Sequence, residues 1–416
     1  MKAVGIIAEY NPFHNGHQWH LEKARSLAAT DYSIAVMSGN FMQRGEPAIF
    51  DKWSRAQMAV SSGIDLIVEL PVAFSVRSAE YFAAGGIRLL HALGIVSHIC
   101  FGAEHANLTI LSTIADALNV PEVLDALHQN LESGYSYAAA WGQALENHLG
   151  VSREVVSSPN NLLAIEYLRA IKTYAPSLIP LVIARRQAGY HDMTISNAIA
   201  SATAIRAAFC HHSEDAWSAL PPPSRQIIEN LFAQDHTPIS FSHYEQLVLA
   251  SLRKLSLSEL AVLPDVGEGL EYKIKNAALR AGELEELIRC LKTRRYSRTR
   301  LQRILTHALL GTNKHMLREF DREGPLYARI LCFNEKGRDL LRHIKQKSSL
   351  PLITKTTHYL TSKKRDTQQL SPLEAMLALD TIATDIYVLG MANPKWRHGG
   401  LDFHRSVQYL PSAKDV

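Results

Sequence analysis

The 416-residue chain contains little cysteine: its four cysteines lie far apart, and none belongs to a CxxC pair. This excludes a small disulfide-stabilised fold and gives no spacing typical of a structural zinc site. Long apolar runs are also missing, because the stretch 64–76 is interrupted by Asp65 and Glu69 well short of bilayer length. The N-terminus reaches an acid and an Asn-Pro turn before a secretory core develops, so we interpret it as a strand. These absences predict a cytoplasmic protein with reduced thiols and no membrane span.

The composition has no strong bias. Hydrophobic residues make up 47% of the chain and charged residues 20%, which is ordinary for a globular protein of two or three domains. Collagen and long disordered tails are excluded. The net charge of +4 is modest, so the positions of the basic residues matter more than their number.

Short apolar runs alternate with amphipathic segments in the first half of the chain. The runs are too continuous for a half-exposed strand, which is typical of strands buried on both faces of a parallel sheet. The amphipathic segments His17–Ala28, Lys52–Ser62 and Ser78–Leu93 predict the intervening helices, and glycine follows the last two of them. We therefore predict an α/β fold with a doubly wound parallel sheet. Its expected strands are Ala3–Ala8, Ser33–Met37, Leu66–Leu70, His98–Phe101 and Ile179–Ala184.

The pattern changes near the three consecutive prolines Pro221–Pro223, which do not continue a helix. Before them, the stretch 107–175 is helical by pattern and is expected to cover the sheet without adding strands. After about residue 240 the periodicity is helical. We predict a boundary near residue 235, with an α/β domain over 1–235 and a mainly helical domain over 236–416.

The first predicted strand runs into a polar loop and then a helix, over Tyr10–His17. A loop at the carboxyl end of a parallel strand faces the ligand crevice of an open sheet, and a helix N-terminus attracts anions. His14 and His17 are three residues apart and share one face of the first turn, while Gly16 allows close approach to the backbone. Imidazoles there, neutral or protonated, could donate to a triphosphate. The alternatives are two surface histidines or half of a metal site.

A second segment, Ser201–Arg206, follows the fifth predicted strand. Taken alone, it fits an N-cap followed by an ordinary alanine-rich helix. The element His14–His17 resembles the HxGH signature of the nucleotidyltransferase superfamily, which includes class I aminoacyl-tRNA synthetases. The segment Ser201–Arg206 resembles the ISxTxIR element that closes the same site, and two such elements in one chain are much rarer by accident than either alone. The resemblance implies that Ser201, Thr203 and Arg206 bind the β- and γ-phosphates of ATP.

Longer stretches resemble the bacterial tRNA(Met) cytidine acetate ligase family over nearly the whole chain. That family activates acetate with ATP, forming acetyl-adenylate and pyrophosphate, and transfers the acetyl group to the exocyclic amine of the wobble cytidine. The resemblance therefore implies a ligase with ATP as co-substrate, Mg²⁺ on its phosphates, acetate and elongator tRNA(Met) as partners, and N4-acetylcytidine as product. The stretches are Gly5–His20, Met37–Ala56, Phe101–Glu104, Ser158–Tyr167, Ala188–Asp192 and Lys292–Arg303.

The resemblance also implies the site residues, with His14 and His17 catalytic and no metal ligand assigned. Asn161 has a second interpretation as an N-cap, and the Arg185-Arg186-Gln187 sequence departs from the small residue expected there. It therefore stays open whether Arg185 or Arg186 contacts ATP. The implied ATP-binding set is Ile7, Ala8, Glu9, Tyr10, Asn11, Pro12, Phe13, His14, Asn15, Gly16, His17, Gln18, Trp19, His20, Gly102, Asn161, Arg185, Ser201, Thr203 and Arg206.

The loop Gly39–Pro47 follows the second predicted strand and is rich in turn formers. Its expected place at the carboxyl edge of the sheet suits a carboxylate pocket or a site for the target base. Lys52 and Arg55 in the next helix are candidates for phosphate or RNA contact, although exposed helical bases are usually only solvated.

A basic stripe lies between Leu287 and Arg318, with nine Lys or Arg and no Asp or Glu. Such a block indicates a polyanion partner, although a solvated basic face is the alternative. Tyr296 could stack on a base or anchor the loop, and Ser297 could cap a helix whose Arg300 and Arg303 point outward. The predicted RNA-binding residues are Lys292, Arg294, Arg295, Arg298, Arg300 and Arg303.

Two other functions fit parts of the sequence. One is a small-molecule adenylyltransferase, which leaves the basic helical segment unexplained. The other is an inactive RNA-binding protein that kept a nucleotide-binding fold.

Overall fold

The computed structural model of the chain describes residues 1–118, 120–135, 137–185, 200–211, 213–367 and 369–411. Its centre is a mixed sheet in which most strands run parallel. Within the described residues the strands are β1 (Ala3–Ala8), β2 (Ser33–Ser38), β3 (Leu66–Leu70), β4 (Val96–Ala103), β5 (Ile179–Ala184), β6 (Ala328–Phe333), β7 (Leu352–Ile353) and β8 (Gln408–Tyr409).

The strand order is β5-β4-β1-β2-β3-β6-β7, with β8 also paired to β6. The chain moves from β1 outward to β2 and β3, and then returns to the other side of β1 to add β4 and β5. Ligands of open α/β sheets bind at such a reversal, outside the carboxyl ends of the strands. The α/β class and the five predicted strands are confirmed, and the ligand crevice is expected between β1 and β4.

Helices cover both faces of this sheet. The side chains of α1, α2, α10 and α11 contribute to one buried core, and those of α4, α5 and α9 contribute to the other. The prolines 221–223 begin a helix, because proline is well suited to a first helical turn. The helices up to this point are α1 (Asn15–Ala28), α2 (Lys52–Ser61), α3 (Val72–Ser75), α4 (Ala79–Ala92), α5 (Leu108–Ala117), α6 (Pro121–Glu132), α7 (Tyr137–Leu149), α8 (Arg153–Ser157), α9 (Pro159–Tyr174), α10 (Ala202–Cys210) and α11 (Pro222–Ala233).

The rest of the chain is mainly helical, but it also returns to the sheet. Strand β6 pairs antiparallel with β3, with Leu66 opposite Phe333. The sequence pattern does not indicate this pairing. The boundary near residue 235 stays a prediction. The helices of this segment are α12 (Glu245–Lys254), α13 (Leu257–Ala261), α14 (Leu270–Arg280), α15 (Leu284–Leu291), α16 (Arg298–Leu310), α17 (Lys314–Glu323), α18 (Glu335–Lys347), α19 (Ser362–Arg365), α20 (Pro372–Tyr387) and α21 (Leu401–His404).

Buried ion pairs join the two segments and correct one prediction. The Lys52 ammonium lies 2.8 Å from a carboxylate oxygen of Glu69 and 2.8 Å from one of Asp402. The Arg329 guanidinium binds the same two carboxylates. Removing one member would leave an uncompensated buried charge, which is strongly destabilising. The suggestion that Lys52 contacts phosphate or RNA is therefore wrong, because its side chain is fully buried in this cluster.

Candidate active site at the carboxyl end of the sheet

The two histidines of the HxGH element cap the first helix with their own rings. His14 is the N-cap of α1, and its Nδ1 accepts a hydrogen bond from the Gly16 backbone N–H at 3.0 Å. Nδ1 of His17 accepts from the His14 backbone N–H at 3.3 Å, and the two rings stack with centroids 3.8 Å apart. Because each Nδ1 is an acceptor, each neutral ring carries its proton on Nε2. The element thus holds two Nε2–H donors side by side.

Aromatic side chains fix the orientation of these rings. Tyr10 and Phe13 are buried, and their ring centroids lie 4.9 Å and 5.5 Å from that of His17. Tyr10 and Phe13 also meet edge to face at 4.9 Å. Such packing leaves the imidazoles little rotational freedom, which is what a preorganised donor pair requires.

The imidazoles are neutral at physiological pH in this environment. Burial lowers the pKa of His14 to about 3, and the positive charges of Arg185 and Arg206 lower it further in the same direction. Burial also lowers the pKa of His17 well below its usual range, with His14 as the next cause. Of the two forms considered from the sequence, the structure favours neutral donors over imidazolium cations.

The segment after β5 reaches this element through Arg206. Its Nη1 donates to the Asn11 carbonyl at 3.1 Å, and its Nη2 donates to Thr203 Oγ1 at 3.3 Å. Ser201 is the N-cap of α10, with Oγ accepting from the Ala204 N–H at 3.1 Å. The fold therefore brings the two sequence elements together, and the capping role of Ser201 is present as well.

The loop after β4 forms the other wall of the crevice between β1 and β4. Asn161 lies inside α9 rather than at its N-cap, and its Oδ1 accepts from the His105 N–H at 2.9 Å. Arg185 donates to Asn160 Oδ1 at 2.7 Å. A Cβ added at Gly102 would lie 3.2 Å from the Arg185 Cγ, so the missing side chain makes room for this arginine rather than directly for a nucleotide. Glu104 accepts from the Asn161 N–H at 3.0 Å, a contact that the sequence analysis did not assign.

The remaining members of the predicted ATP-binding set lie around the two histidines in β1, the following loop and α1. The Ile7 side chain points to α4, where it would meet a Cβ added at Gly86. Asn15 donates to the Ser218 carbonyl at 3.1 Å. Burial lowers the pKa of His20 to about 4, again with Arg185 nearby. Ala8 ends β1, Pro12 is buried in the loop, and Gln18 and Trp19 are half-buried in α1. Arg186 and the 188–192 motif lie outside the described residues.

The loop Gly39–Pro47 connects the site to the C-terminal helices. The Gln43 backbone N–H donates to Glu9 Oε1 at 2.8 Å, at the end of β1. On its other side the Glu46 carboxylate accepts from Gln302 Nε2 at 3.0 Å, and the Gly45 carbonyl accepts from the Thr306 hydroxyl. The loop therefore contacts both the candidate ATP site and α16.

Arg55 joins the carboxyl ends of β1 and β2 through hydrogen bonds to the backbone. It is fully buried, and its guanidinium donates to the carbonyls of Glu9, Ser38, Gly39 and Phe50. The suggestion that Arg55 contacts phosphate or RNA is wrong. Its all-carbonyl environment was not visible in the sequence, because the partners come from three separate segments.

The basic stripe contains no acid in sequence, but in the structure two of its arginines pair with acids from outside it. Arg295 pairs with Glu268 at 2.6 Å, and Arg298 donates to Glu285 at 2.8 Å. Lys292 and Arg294 are also exposed, whereas Arg300 is half-buried and donates to the Asp265 carbonyl. A shallow depression of about 610 Å³ is lined by Glu285, Ile288, Arg289, Lys292, Thr293, Arg294 and Arg298.

One detail of the stripe differs from expectation, and two others agree with it. Arg303 is buried and forms an ion pair with Asp265 at 2.6 Å, so the prediction that it points outward is wrong. The reason is that Asp265, distant in sequence, faces α16 from the loop between α13 and α14. Tyr296 anchors the loop: it is mostly buried, and its hydroxyl donates to Glu268 at 3.4 Å. Ser297 caps α16 as predicted.

Within the described residues, no group of three or more His, Cys, Asp or Glu side chains is arranged to hold a metal ion. In the same part of the chain, no helix is long and apolar enough to span a bilayer.

The chain is similar to known proteins over nearly its whole length. A family model described as HIGH Nucleotidyl Transferase matches residues 1–400. The tRNA(Met) cytidine acetate ligase of Acetivibrio thermocellus is 41% identical over 98% of this chain and 99% of its own. The protein of the same name from Syntrophomonas wolfei is 40% identical, with 98% and 99% covered.

Solved structures agree with these matches. The apo crystal structure of Thermotoga maritima TmcAL superimposes with a TM-score of 0.92 at 32% identity, covering 99% of this chain and 100% of that one. A second crystal form of that protein, bound with alpha-thio ATP, gives a TM-score of 0.90 at 32% identity and the same coverage.

These matches cover nearly the whole chain, so they establish both the superfamily and the family of the protein. The chain belongs to the HIGH nucleotidyl transferases and, among them, to the tRNA(Met) cytidine acetate ligase family. The family resemblance inferred from the sequence is confirmed, and the relatives' shared name confirms the prediction of a ligase.

Proposed function

We propose that this protein activates acetate with ATP and transfers the acetyl group to the wobble cytidine of elongator tRNA(Met), giving N4-acetylcytidine. The observation that carries the proposal is the pair of neutral, stacked histidines with both Nε2–H groups available at the topological reversal of the sheet. Membership of the ligase family supports the identity of both substrates. A tRNA substrate also supports a cytoplasmic location.

In the first step, an acetate oxygen attacks the α-phosphorus of ATP, the bond to the bridging oxygen breaks, and pyrophosphate leaves. The Nε2–H donors of His14 and His17 would stabilise the charge on the phosphate oxygens as it develops. Arg206 and Arg185 would balance the charge of the triphosphate from the two sides of the crevice. The enzyme then contributes mainly by positioning and electrostatics, and forms no covalent intermediate.

Mg²⁺ fits this site only as an ion carried by ATP. The described residues offer no acidic cluster that could bind it alone, and Mg²⁺ commonly binds substrate phosphates with few protein ligands. When bound, it would neutralise phosphate charge.

In the second step, the cytidine N4 amine attacks the acetyl carbonyl, the acyl–oxygen bond breaks, AMP leaves, and the amine gives up a proton. A base in a single-stranded loop can be splayed out into a pocket, so the anticodon loop can deliver the amine. The loop Gly39–Pro47 is placed to mediate between the two steps, since it contacts Glu9 on one side and α16 on the other.

Acetate-dependent exchange of labelled pyrophosphate into ATP tests this function. We expect exchange with acetate in the absence of tRNA. An adenylyltransferase would instead require a different, phosphate-bearing acceptor, and an inactive RNA-binding protein would show no exchange with any acceptor.

Neutralising the stripe should weaken tRNA binding. In the triple variant Arg294→Gln, Arg295→Gln and Arg298→Gln, we expect tRNA affinity to fall and its salt dependence to flatten by about 0.7–0.9 in log–log slope for each lost phosphate contact. Pyrophosphate exchange should persist, because the candidate ATP site lies on other elements. The measurement is a binding titration at several salt concentrations.

Replacing the acids that pair with the stripe is a control with the opposite expected effect on tRNA affinity. Replacing Glu268 and Glu285 by glutamine frees Arg295 and Arg298 from their ion pairs, so tRNA should bind more tightly. Unchanged affinity in both variants would assign the stripe to a solvated face.

A further inference from the structure

A second stretch of one-sign charge lies on the surface outside the stripe. The sequence between Asp339 and Asp366 contains no acid. It carries two histidines and the basic residues Arg342, Lys345, Lys347, Lys355, Lys363, Lys364 and Arg365.

Four of these bases have no acidic partner. Arg342 pairs with Asp339, Lys364 with Glu374, and Arg365 with Asp385. Lys345, Lys347, Lys355 and Lys363 are all exposed, and none has a carboxylate within 4.0 Å in the part of the chain that the structure describes. These four lysines, named here the distal basic surface, therefore contribute an uncompensated positive potential.

The distal basic surface is local in the chain, and its end at α18 is distant from the histidines. Lys345 and Lys347 lie in the last turn of α18, Lys355 follows strand β7, and Lys363 lies in the short helix α19. Lys347 packs near Gly94, just before β4 begins, whereas the candidate site lies at the other end of β4, at Gly102. The eight residue steps from Gly94 to Gly102 span roughly 25 Å in an extended strand. A ligand that reaches both places must be longer than a nucleotide.

We propose that the distal basic surface binds the sugar–phosphate backbone of the tRNA body while the anticodon loop occupies the active site. The inference rests on the proposed function and extends it to a second RNA contact. Lysine ammonium groups act as point charges toward phosphates, so this contact positions the RNA without reading its sequence. A membrane surface is disfavoured, because none of the exposed large hydrophobic residues in the described chain lies within 340–365.

The test compares two RNAs against the quadruple variant Lys345→Gln, Lys347→Gln, Lys355→Gln and Lys363→Gln. For full-length tRNA(Met), we expect affinity to fall about tenfold or more at moderate salt, with a salt slope reduced by roughly 3. For the isolated anticodon stem-loop, affinity should be unchanged. A control variant replaces four other exposed bases, Lys2, Lys23, Arg225 and Arg322, by glutamine and removes the same charge.

Two results would overturn the proposal. Equal losses for both RNAs would place the lysines on the anticodon arm, and a loss no larger than that of the control would make them a solvated face. Failure of the proposed function itself is distinguishable, because the wild-type protein would then show no acetate-dependent exchange and no preference for tRNA(Met).

Discussion

Replacing His14 or His17 by alanine should lower the rate of acetyl-adenylate formation by about a hundredfold or more, the effect of removing one preorganised donor from a developing oxyanion. Each ring contributes an Nε2–H, while its Nδ1 is occupied by a backbone N–H. The measurement is acetate-dependent pyrophosphate exchange at saturating ATP. Near-normal exchange in both variants would refute the assignment of the HxGH element as the catalytic donor pair.

A more conservative variant separates catalysis from folding. Alanine at position 14 also removes the helix cap, which costs about 1 kcal/mol of stability. Asparagine keeps a side-chain acceptor suited to an N-cap but lacks the distal donor, so His14→Asn should fold like the wild type and still lose the rate. His128 is exposed on α6, and His128→Ala should leave both properties unchanged.

The second large effect concerns the loop between the site and α16. Gly45 has φ +84°, and an added Cβ would lie 2.4 Å from the Arg303 backbone nitrogen. Gly45→Ala must therefore move the loop away from α16 and disturb the Gln43–Glu9 contact. We expect acetyl-adenylate to form without tRNA in the wild type and to be hydrolysed slowly, because a closed site protects it from water. In the variant, tRNA-independent AMP release should rise about tenfold, equivalent to ~1.4 kcal/mol in barrier height.

Gly134 provides a matched control for backbone strain. It has φ +87° with no atom within 4 Å of an added Cβ, so Gly134→Ala carries the conformational cost without the collision. AMP release is measured with and without tRNA, followed by quench analysis for enzyme-bound acetyl-adenylate. Absence of adenylate without tRNA in the wild type would contradict the two-step order.

The parts of the fold set by local pattern could be predicted from the sequence. Strands such as Ala3–Ala8 and Leu66–Leu70 are short, mostly apolar runs, and their bounds match the structure. The HxGH element could be placed at a helix start because strand, loop and helix are consecutive in the chain. The ring tautomers could not, because they depend on which backbone N–H groups the imidazoles meet.

Features that depend on distant residues could not be predicted. Strand β6 is a short hexapeptide, apolar except for Arg329, that periodicity does not distinguish from a helix segment. Its pairing with β3 joins residues more than half the chain apart. Arg303 was expected outside from the periodicity of its own helix, yet Asp265 of a distant loop pairs with it. Lys52 was considered as an exposed helical base, and its partner Asp402 is 350 positions further along the chain.

Mass spectrometry of tRNA nucleosides measures the product of the complete proposed reaction. Purified enzyme is incubated with ATP, isotope-labelled acetate and unmodified elongator tRNA(Met), and the digested nucleosides are compared with those from the His14→Asn variant. We expect labelled N4-acetylcytidine at the wobble position with the wild type and about a hundredfold less at early times with the variant. Unmodified cytidine in the wild-type reaction, or equal product from both proteins, would contradict this expectation.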